Sequence, residues 1–421
     1  MMKQIKLHGL DQVLYHDTLL NGLDVYLLPY EDKNNYYISY ATKYGSDVTN
    51  FISESGEHKV PLGVAHYLEH KMFEEPSGMD PFTFFSKSGS DGNASTSYDY
   101  TQYICVGNKN FDENLRYLLQ FVNTPYFTDE NVEKEKGIIS EEIKMYDDLP
   151  EYKLEALLRE NVYHVSSKKY DIAGTIPEIK KITKEDLYHC YEAFYIPNNM
   201  FVLITGKFDP ELAFHIIEEE LGGKDSKPLP KILFESEPKI VVKKEETIQD
   251  NVEIPKIGVA IKIPKKTITL DGLECDLYLS MLTTMLFGSS SEFRERVRQD
   301  KILNDIYTEW EDDTDYKTFY LLASSTEPDQ LFSEIQYELN HISVVKKTFE
   351  RIKKVWIANE VKMIDHIDKT QHNFFDDIIR YGTIIDNRIE VIRKMNVKTL
   401  ESMLKQIDLS EISNIKMIER N

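Results

Sequence analysis

The chain repeats itself at a nearly fixed spacing, and no other feature constrains its fold as strongly. Residues 176–187 (IPEIKKITKEDL) resemble residues 389–400 (IEVIRKMNVKTL) at an offset of 213. Residues 139–147 (ISEEIKMYD) resemble residues 357–365 (IANEVKMID) at an offset of 218. Two matches in the same order and with nearly equal offsets indicate duplication of a domain of about half the chain.

The length of the chain agrees with duplication. Its 421 residues exceed what one hydrophobic core usually organises, so two domains are expected. The boundary is expected in the polar, proline-bearing segment that begins at Lys224. We therefore predict an N-terminal domain over 1–223, a linker over 224–236 and a homologous C-terminal domain over 237–421.

Hydrophobic periodicity predicts strands and helices of an α+β fold in each half. The predicted strands cover 23–28, 36–43, 98–106, 200–205, 238–243, 257–263 and 414–418. The predicted helices cover about 112–124, 129–147, 151–163, a segment ending near 194, 270–287 and 348–380.

A short motif, His66-Tyr67-Leu68-Glu69-His70, carries the chemistry. A helix is predicted over 62–73, and on it His66 and His70 would stand one turn apart on one face, where both can bind one metal ion. Glu69 flanks that face and could accept a proton from an activated water. Taken alone, the motif is equally compatible with two solvated helix histidines.

A catalytic zinc site needs a third protein ligand. The helix predicted over 129–147 offers candidates, because it carries Glu135 and Glu142 on one face. Glu142 follows an apolar pair, so its carboxylate lies at the edge of a core-facing stripe and needs a partner. A metal ion would be such a partner. A structural role is the alternative, because Glu360 occupies the matching place in a half of the chain that has no histidine motif.

Together these residues resemble the pitrilysin/insulinase family of zinc metallopeptidases over nearly the whole chain. The family pattern is His-x-x-Glu-His followed about seventy residues later by Glu-x6-Glu, which Glu135 and Glu142 fit. The resemblance implies one Zn²⁺ per chain, bound by His66, His70 and Glu142. It implies Glu69 as general base and Glu135 as a supporting carboxylate.

The same resemblance implies substrate-binding residues. Asn93 and Ala94 resemble the family's edge strand, to which a substrate peptide adds through main-chain hydrogen bonds. Many members carry an Arg and, seven residues later, a Tyr that reach toward the substrate. Arg298 and Tyr307 are the nearest match here, but they are nine residues apart, so a solvated charge and a packed aromatic are equally compatible with them.

The family's architecture implies a function and a partner. Each half of a clamshell peptidase contains two homologous domains, each a mixed or antiparallel sheet covered by helices, and this chain supplies one half. A zinc-dependent endopeptidase acting on short or unfolded peptides is expected, paired as a homodimer or with a homologous subunit that lacks the zinc motif. The alternative is a non-catalytic or structural-zinc subunit of a peptidase, peptide-binding or export assembly.

Composition excludes several other classes. A net charge of −22 argues against nucleic acid as a partner. The three cysteines, Cys105, Cys190 and Cys275, are widely separated, which favours buried thiols over a disulfide framework. The sequence contains no run of 18 apolar residues, so a membrane span is not predicted. The first residues lack the apolar segment of a signal peptide. We therefore expect a cytoplasmic protein.

Overall fold

The computed structural model of the protein describes residues 2–78 and 80–420. The chain forms two compact units. The first unit comprises the chain up to Ile143 together with 171–233 and 360–388. The second unit comprises 144–170, 234–359 and the chain from Ile389 onward. Each unit is built around its own sheet.

The strands, in chain order, are β1 (Lys3–Lys6), β2 (Val13–Thr18), β3 (Asp24–Pro29), β4 (Tyr36–Thr42), β5 (Asn50–Ser53), β6 (Gly56–Lys59), β7 (Ser90–Thr96), β8 (Thr101–Gly107), β9 (Met200–Gly206), β10 (Lys231–Ile232), β11 (Glu245–Asp250), β12 (Lys256–Pro264), β13 (Asp305–Asp312), β14 (Tyr316–Ser324) and β15 (Ile412–Glu419).

The helices are α1 (Val64–Met72), α2 (Pro81–Ser88), α3 (Phe111–Val122), α4 (Asp129–Asp147), α5 (Pro150–Val162), α6 (Ile176–Ile179), α7 (Lys184–Phe194), α8 (Pro210–Leu221), α9 (Gly272–Phe287), α10 (Glu292–Gln299), α11 (Pro328–Asn340), α12 (Lys346–Met363), α13 (Ile367–Tyr381), α14 (Arg388–Lys394) and α15 (Val397–Leu404). The predicted limits of α4 coincide with the observed ones.

The first unit contains a seven-stranded sheet in the order β1-β2-β3-β9-β4-β8-β7 and a small sheet in the order β10-β5-β6. Both faces of the large sheet are buried, as alternate residues of β9 show. Val202 and Ile204 pack into the cluster that includes α1, α3 and α7. Phe201 and Leu203 pack on the opposite face, against residues of α13 such as Phe375. This two-residue alternation explains why the β9 segment is apolar throughout.

The second unit contains a five-stranded sheet in the order β11-β15-β12-β14-β13. Its core strand β12 also buries two faces. Ile257 and Val259 lie in the cluster formed with α9 and its neighbours. Ala260 faces α5, whose Leu154 and Leu158 fill the other cluster. The pattern of burial is therefore the same in both units.

The strand order confirms the predicted duplication and the α+β class. In the first unit β3 pairs parallel with β9, and β9, β4, β8 and β7 follow in antiparallel pairs. In the second unit β11 pairs parallel with β15, and β15, β12, β14 and β13 follow in antiparallel pairs. The five strands thus have the same order and polarity in both units, and β7 and β13 are the equivalent edge strands.

Two segments of the chain lie in a different unit from the segments that precede them in the sequence. Helix α5 lies in the second unit and packs on β12 and β15, whereas its repeat equivalent α13 lies in the first unit and packs on β9 and β4. Apolar side chains on each helix cover a sheet face that would otherwise be exposed. The sequential limits 1–223, 224–236 and 237–421 stay a prediction.

Two predicted elements are wrong. No strand forms over 238–243; there the amide of Val241 donates to the Glu411 carboxylate, and the strand that pairs with β15 begins at Glu245. The helix predicted over 348–380 is two helices, α12 and α13. The carbonyl of Ile364 accepts a hydrogen bond from the Tyr30 hydroxyl at 2.6 Å instead of continuing the helix.

Two further observations concern composition. Cys105, Cys190 and Cys275 are all free and buried, which confirms the prediction of buried thiols. Among the helices within 2–78 and 80–420, none combines the length and the apolar character required to cross a bilayer.

Candidate metal centre

Helix α1 begins at a point where two chain segments touch. Gly63, the residue before the helix, has φ of 82°, and a Cβ there would lie 2.2 Å from the carbonyl oxygen of Ala173. Gly174 approaches just as closely, since a Cβ on it would lie 2.6 Å from the carbonyl oxygen of Leu62. Only glycine permits this backbone contact. The contact fixes the start of the helix that carries the motif.

The motif helix is anchored on one side and presents its polar residues on the other. Leu68 and Met72 are buried in the apolar core of the first unit. The Tyr67 hydroxyl donates to the main-chain carbonyl of Val132 on α4, so α1 and α4 are joined directly. His66 and His70 consequently face α4 with ring centroids 4.6 Å apart.

Helix α4 brings Glu142 to the two imidazoles. Glu142 Oε1 lies 3.9 Å from His66 Nε2, and Glu142 Oε2 lies 3.5 Å from His70 Nε2. One ligand atom from each of the three residues lies within 4.8 Å of the other two. This is the one group of at least three metal-binding side chains in the part of the chain that the structure describes.

Glu135, two turns earlier on α4, contacts the other side of His70. Its Oε1 lies 3.1 Å from His70 Nδ1. Burial alone would raise the pKa of Glu135, but the hydrogen bond and charge of His70 outweigh burial and lower it. A carboxylate on Nδ1 leaves Nε2 of His70 facing Glu142, as is usual for a metal-ligating histidine.

His66 has the properties expected of a metal ligand. Burial lowers the pKa of His66 to about 3, with the neighbouring His70 adding to the effect, so the ring is neutral at physiological pH. Its Nε2 faces Glu142 at 3.9 Å, while the other ring nitrogen, Nδ1, is buried and has no hydrogen-bond partner among the described residues. Two neutral or neutralisable imidazoles and one carboxylate are a donor set that zinc takes in catalytic sites, with one position left open. The residues present therefore fit a zinc ion.

Glu69 lies beside this group and is buried. Burial raises the pKa of Glu69, although a hydrogen bond from Thr96 and the charge of His70 act in the opposite direction. For His70 itself, burial would lower the pKa, but the hydrogen bond to Glu135 and the charges of Glu69 and Glu142 raise it. Three carboxylates, those of Glu69, Glu135 and Glu142, thus influence the pKa of His70.

Thr96 belongs to the segment that resembles the family's edge strand, but the sequence does not predict its contact with the motif. Its hydroxyl donates to Glu69 Oε2 at 2.7 Å. Thr96 is the last residue of β7, so the edge strand itself touches the carboxylate of the motif. Its position in the segment that begins at Asn93 was the available signal, because that segment was predicted to pair with substrate.

The predicted substrate strand is an edge strand, as expected. β7 ends the order of the seven-stranded sheet and pairs with β8. Asn93 is exposed, and its side-chain oxygen accepts a hydrogen bond from the amide of Ala94 at 2.9 Å. That amide is therefore satisfied by a local side chain that an incoming strand could displace.

Arg298 and Tyr307 belong to the second unit. Arg298, on α10, is exposed and pairs with Glu295 at 2.7 Å. Tyr307, on the edge strand β13, is also exposed, and its hydroxyl donates to Glu309 at 2.9 Å. Their assignment to substrate binding stays a prediction.

Two family models match the chain. The model described as insulinase, peptidase family M16, matches residues 55–176, which contain the motif and Glu142. The model described as the peptidase M16 inactive domain matches residues 181–355. The second description agrees with the lack of a His-x-x-Glu-His motif in that part of the sequence.

Individual proteins are similar over nearly the whole length. The uncharacterized zinc protease YmfH of Bacillus subtilis is 35% identical over 424 residues, covering 99% of this chain and 96% of that protein. The crystal structure of an M16-like peptidase from Alicyclobacillus acidocaldarius has a TM-score of 0.92 at 29% identity and covers 98% of this chain and 100% of that chain.

A longer protein shares the fold alone. The periplasmic protease PqqL of Escherichia coli has a TM-score of 0.75 at 16% identity, with 97% of this chain but 48% of that chain covered. The fold of this chain therefore corresponds to about half of PqqL. With a relative 35% identical along almost its entire length, and with matches to both family models, the chain belongs to the insulinase family of peptidases, family M16.

Proposed function

We propose that the protein is a zinc-dependent endopeptidase that cleaves short or unfolded peptides. One observation carries the proposal: His66, His70 and Glu142 present ligand atoms within 4.8 Å of one another, directly beside the buried carboxylate of Glu69. A non-catalytic subunit would not need a poised carboxylate next to a metal-binding triad. The zinc protease name of YmfH supports the choice of metal.

In this proposal His66, His70 and Glu142 hold the zinc ion. Bound zinc supplies Lewis acidity, which polarises a peptide carbonyl and makes water a competent nucleophile at neutral pH. Glu135 holds the His70 ring through Nδ1. Neutral His66 needs no deprotonation before it binds, because its pKa is already far below physiological pH.

Glu69 moves the proton. Thr96 holds Oε2 of Glu69, and we assign Oε1 to accept the proton of the attacking water and to deliver it to the leaving amine. Burial raises the pKa of Glu69, and a raised pKa makes the carboxylate a better proton acceptor near neutral pH.

The substrate is proposed to add to β7 as a further antiparallel or parallel strand. Ala94 lies two residues before Thr96, so a peptide paired along β7 passes beside Glu69. Main-chain pairing recognises an extended backbone rather than a particular sequence. Extended or unfolded peptides therefore suit the site better than folded proteins.

A second half of similar size is proposed to complete the chamber. The fold corresponds to about half of the PqqL chain. Two copies of this chain, or this chain with a homologous subunit lacking the zinc motif, would supply both halves. We also propose a cytoplasmic location, for which the basis is the amino-acid sequence.

Cleavage of an unstructured quenched-fluorescent peptide library by the isolated protein tests the proposal. Turnover is expected, with one zinc per chain, and it should disappear on addition of o-phenanthroline and in a Glu69→Gln variant. Bound zinc without turnover on any peptide, even after addition of a homologous subunit, would favour the non-catalytic alternative. A protein that binds no zinc would overturn the proposal.

A further inference from the structure

A lysine with no access to solvent lies next to the metal-binding histidine. Lys71 follows His70 on α1, and its side chain is completely buried. Lysine is seldom buried, because removing an ammonium group from water is unfavourable unless anionic groups compensate its charge. The position therefore calls for an explanation.

Two carboxylates compensate the buried charge. Lys71 Nζ lies 2.6 Å from Glu74 Oε1 and 3.7 Å from Glu135 Oε2. Neither contact has the direction of a hydrogen bond, so both act as charge pairs. Glu74 is one-third exposed, whereas the Glu135 side chain is 9% exposed. The pair with Glu135 is thus the more shielded from water.

Glu135 joins the lysine to the metal centre. Its Oε1 contacts His70 Nδ1 at 3.1 Å, while its Oε2 faces Lys71. Oε1 is hydrogen-bonded to His70 and Oε2 is attracted by the charge of Lys71, and together these two contacts restrain the rotation of the carboxylate. A carboxylate fixed in this way sets the orientation of the His70 ring and directs Nε2 toward Glu142.

On this geometry we propose that Lys71 is a positioning residue of the zinc site, which acts on His70 through Glu135. The inference rests on the proposed zinc site and adds a residue that binds neither metal nor substrate. It predicts that loss of the ammonium group weakens zinc binding even though all three ligands remain in place.

A purely structural role is the competing explanation. Glu74 alone could compensate Lys71, and the lysine would then contribute to folding without affecting the metal. The two explanations differ in one measurable respect. If Lys71 acts through Glu135, its effect on zinc affinity vanishes once Glu135 has been neutralised.

Zinc affinity is measured by competition with a chromogenic chelator for the wild type, Lys71→Met, Glu135→Gln and the double variant. Each single substitution is expected to weaken zinc binding about 10- to 100-fold. The double variant should be no more than about threefold weaker than Glu135→Gln alone, because both changes remove the same restraint. Lys71→Gln, which keeps a polar group without the charge, is a second variant with the same expected loss.

Two controls isolate the effect. Lys262→Met removes another completely buried lysine, paired with Glu237 at 2.6 Å in the second unit, and should leave zinc affinity unchanged. Glu74→Gln removes the other partner of Lys71 and should also leave it unchanged.

The outcomes separate the two proposals. A wild type that binds no zinc refutes the proposed function. If Glu135→Gln weakens zinc binding but folded Lys71→Met or Lys71→Gln binds zinc as tightly as the wild type, the role of Lys71 is refuted. The proposed function is then unaffected. Fully additive losses in the double variant would also refute it, since the lysine would then act independently of Glu135.

Discussion

At the scale of single residues, glutamate side chains have different roles because they meet different partners. Glu69 accepts from the Thr96 hydroxyl, whereas Glu142 faces two imidazoles. Glu360, the repeat equivalent of Glu142, instead lies 3.8 Å from the guanidinium of Arg388. Glu360 thus has an arginine as its partner, and the role of Glu142 as a metal ligand stays a prediction. The first copy has two histidines at this place.

Glu69→Gln tests the proposed base. The substitution keeps the size of the side chain and its contact with Thr96 but removes the proton acceptor. The turnover number should fall about 100- to 10,000-fold, while zinc content stays at one per chain. Steady-state cleavage of a fluorogenic peptide, with metal analysis of the same sample, measures both. Equal turnover in variant and wild type would exclude Glu69 as the base.

Thr96→Val tests how the base is held. Valine matches threonine in shape, so β7 and its pairing should persist, but Glu69 loses its hydroxyl donor. A hydrogen bond to a charged group contributes about 1.5–3 kcal/mol, so we expect the turnover number to fall about 10- to 100-fold with unchanged zinc affinity. Thr96→Ser keeps the hydroxyl and should retain most of the activity. A loss common to both variants would point to packing instead.

At the scale of elements, position is set by buried polar contacts as well as by apolar packing. The segment after α5 in the second unit is held by Glu237, whose carboxylate accepts from the amides of His164, Val165 and Ser166 at 2.8–2.9 Å and from Lys262 Nζ at 2.6 Å. Glu237 and Lys262 are both buried. These bonds attach the end of α5 to the chain segment that precedes β11.

Glu237→Gln should destabilise the protein markedly, because it leaves Lys262 as a buried charge without its counter-ion. Breaking such a pair costs about 3–5 kcal/mol of unfolding free energy. Denaturant unfolding followed by circular dichroism measures this loss. Glu245→Gln, an exposed change on β11, is the matched control and should have little effect.

The same carboxylate predicts a dependence of stability on pH. Burial would raise the pKa of Glu237, but hydrogen bonds from the amide of His164, from Lys262 and from two further amides together lower it. A carboxyl that titrates lower in the folded than in the unfolded state stabilises the protein above the unfolded value of about 4.5, and the stabilisation disappears as pH falls below it. Unfolding free energies between pH 6 and pH 3 should therefore decline less steeply in Glu237→Gln than in the wild type.

Ala94→Pro tests whether substrate pairs with the edge strand β7. Ala94→Pro removes the amide that Asn93 now accepts from and that an added strand would use. Proline is tolerated at sheet edges, so folding and zinc content should persist while kcat/KM falls at least about tenfold. Ala94→Ser keeps the amide and should resemble the wild type. Unchanged kcat/KM in the proline variant would exclude pairing of substrate with this amide.

At the scale of the whole molecule, the protein is a duplicated chain in which one copy carries the candidate chemistry. Both units keep the five-strand order and a helix pair between corresponding strands. Only the first has the histidine motif. The net charge of −22 does not by itself indicate any particular partner.

Completion of the chamber by a second half predicts the size of the active species. Peptidase activity should elute from a sizing column coupled to light scattering at a mass above that of one chain. Twice the mass of one chain would indicate a homodimer. Activity that coincides with a single chain and persists on dilution would exclude the two-half chamber.

Sequence patterns by themselves determined the duplication, the α+β class and the site candidates. Repeats and motifs such as His66 to His70 are local in the chain, and helix or strand periodicity is a local property of the backbone. The same patterns failed at 238–243 and at the break between α12 and α13, where Glu411 and Tyr30 from distant parts of the chain satisfy the backbone.

Only the tertiary structure decided how those pieces meet. It paired Glu135 and Glu142 with opposite sides of His70, placed Thr96 against Glu69 and buried Lys71 beside Glu135. It also exchanged α5 and α13 between the two units. These contacts join residues far apart in the chain, and burial and partner determine their energies. The residues that neighbour Lys71 or Thr96 in the sequence do not indicate which carboxylate each side chain contacts in the folded protein.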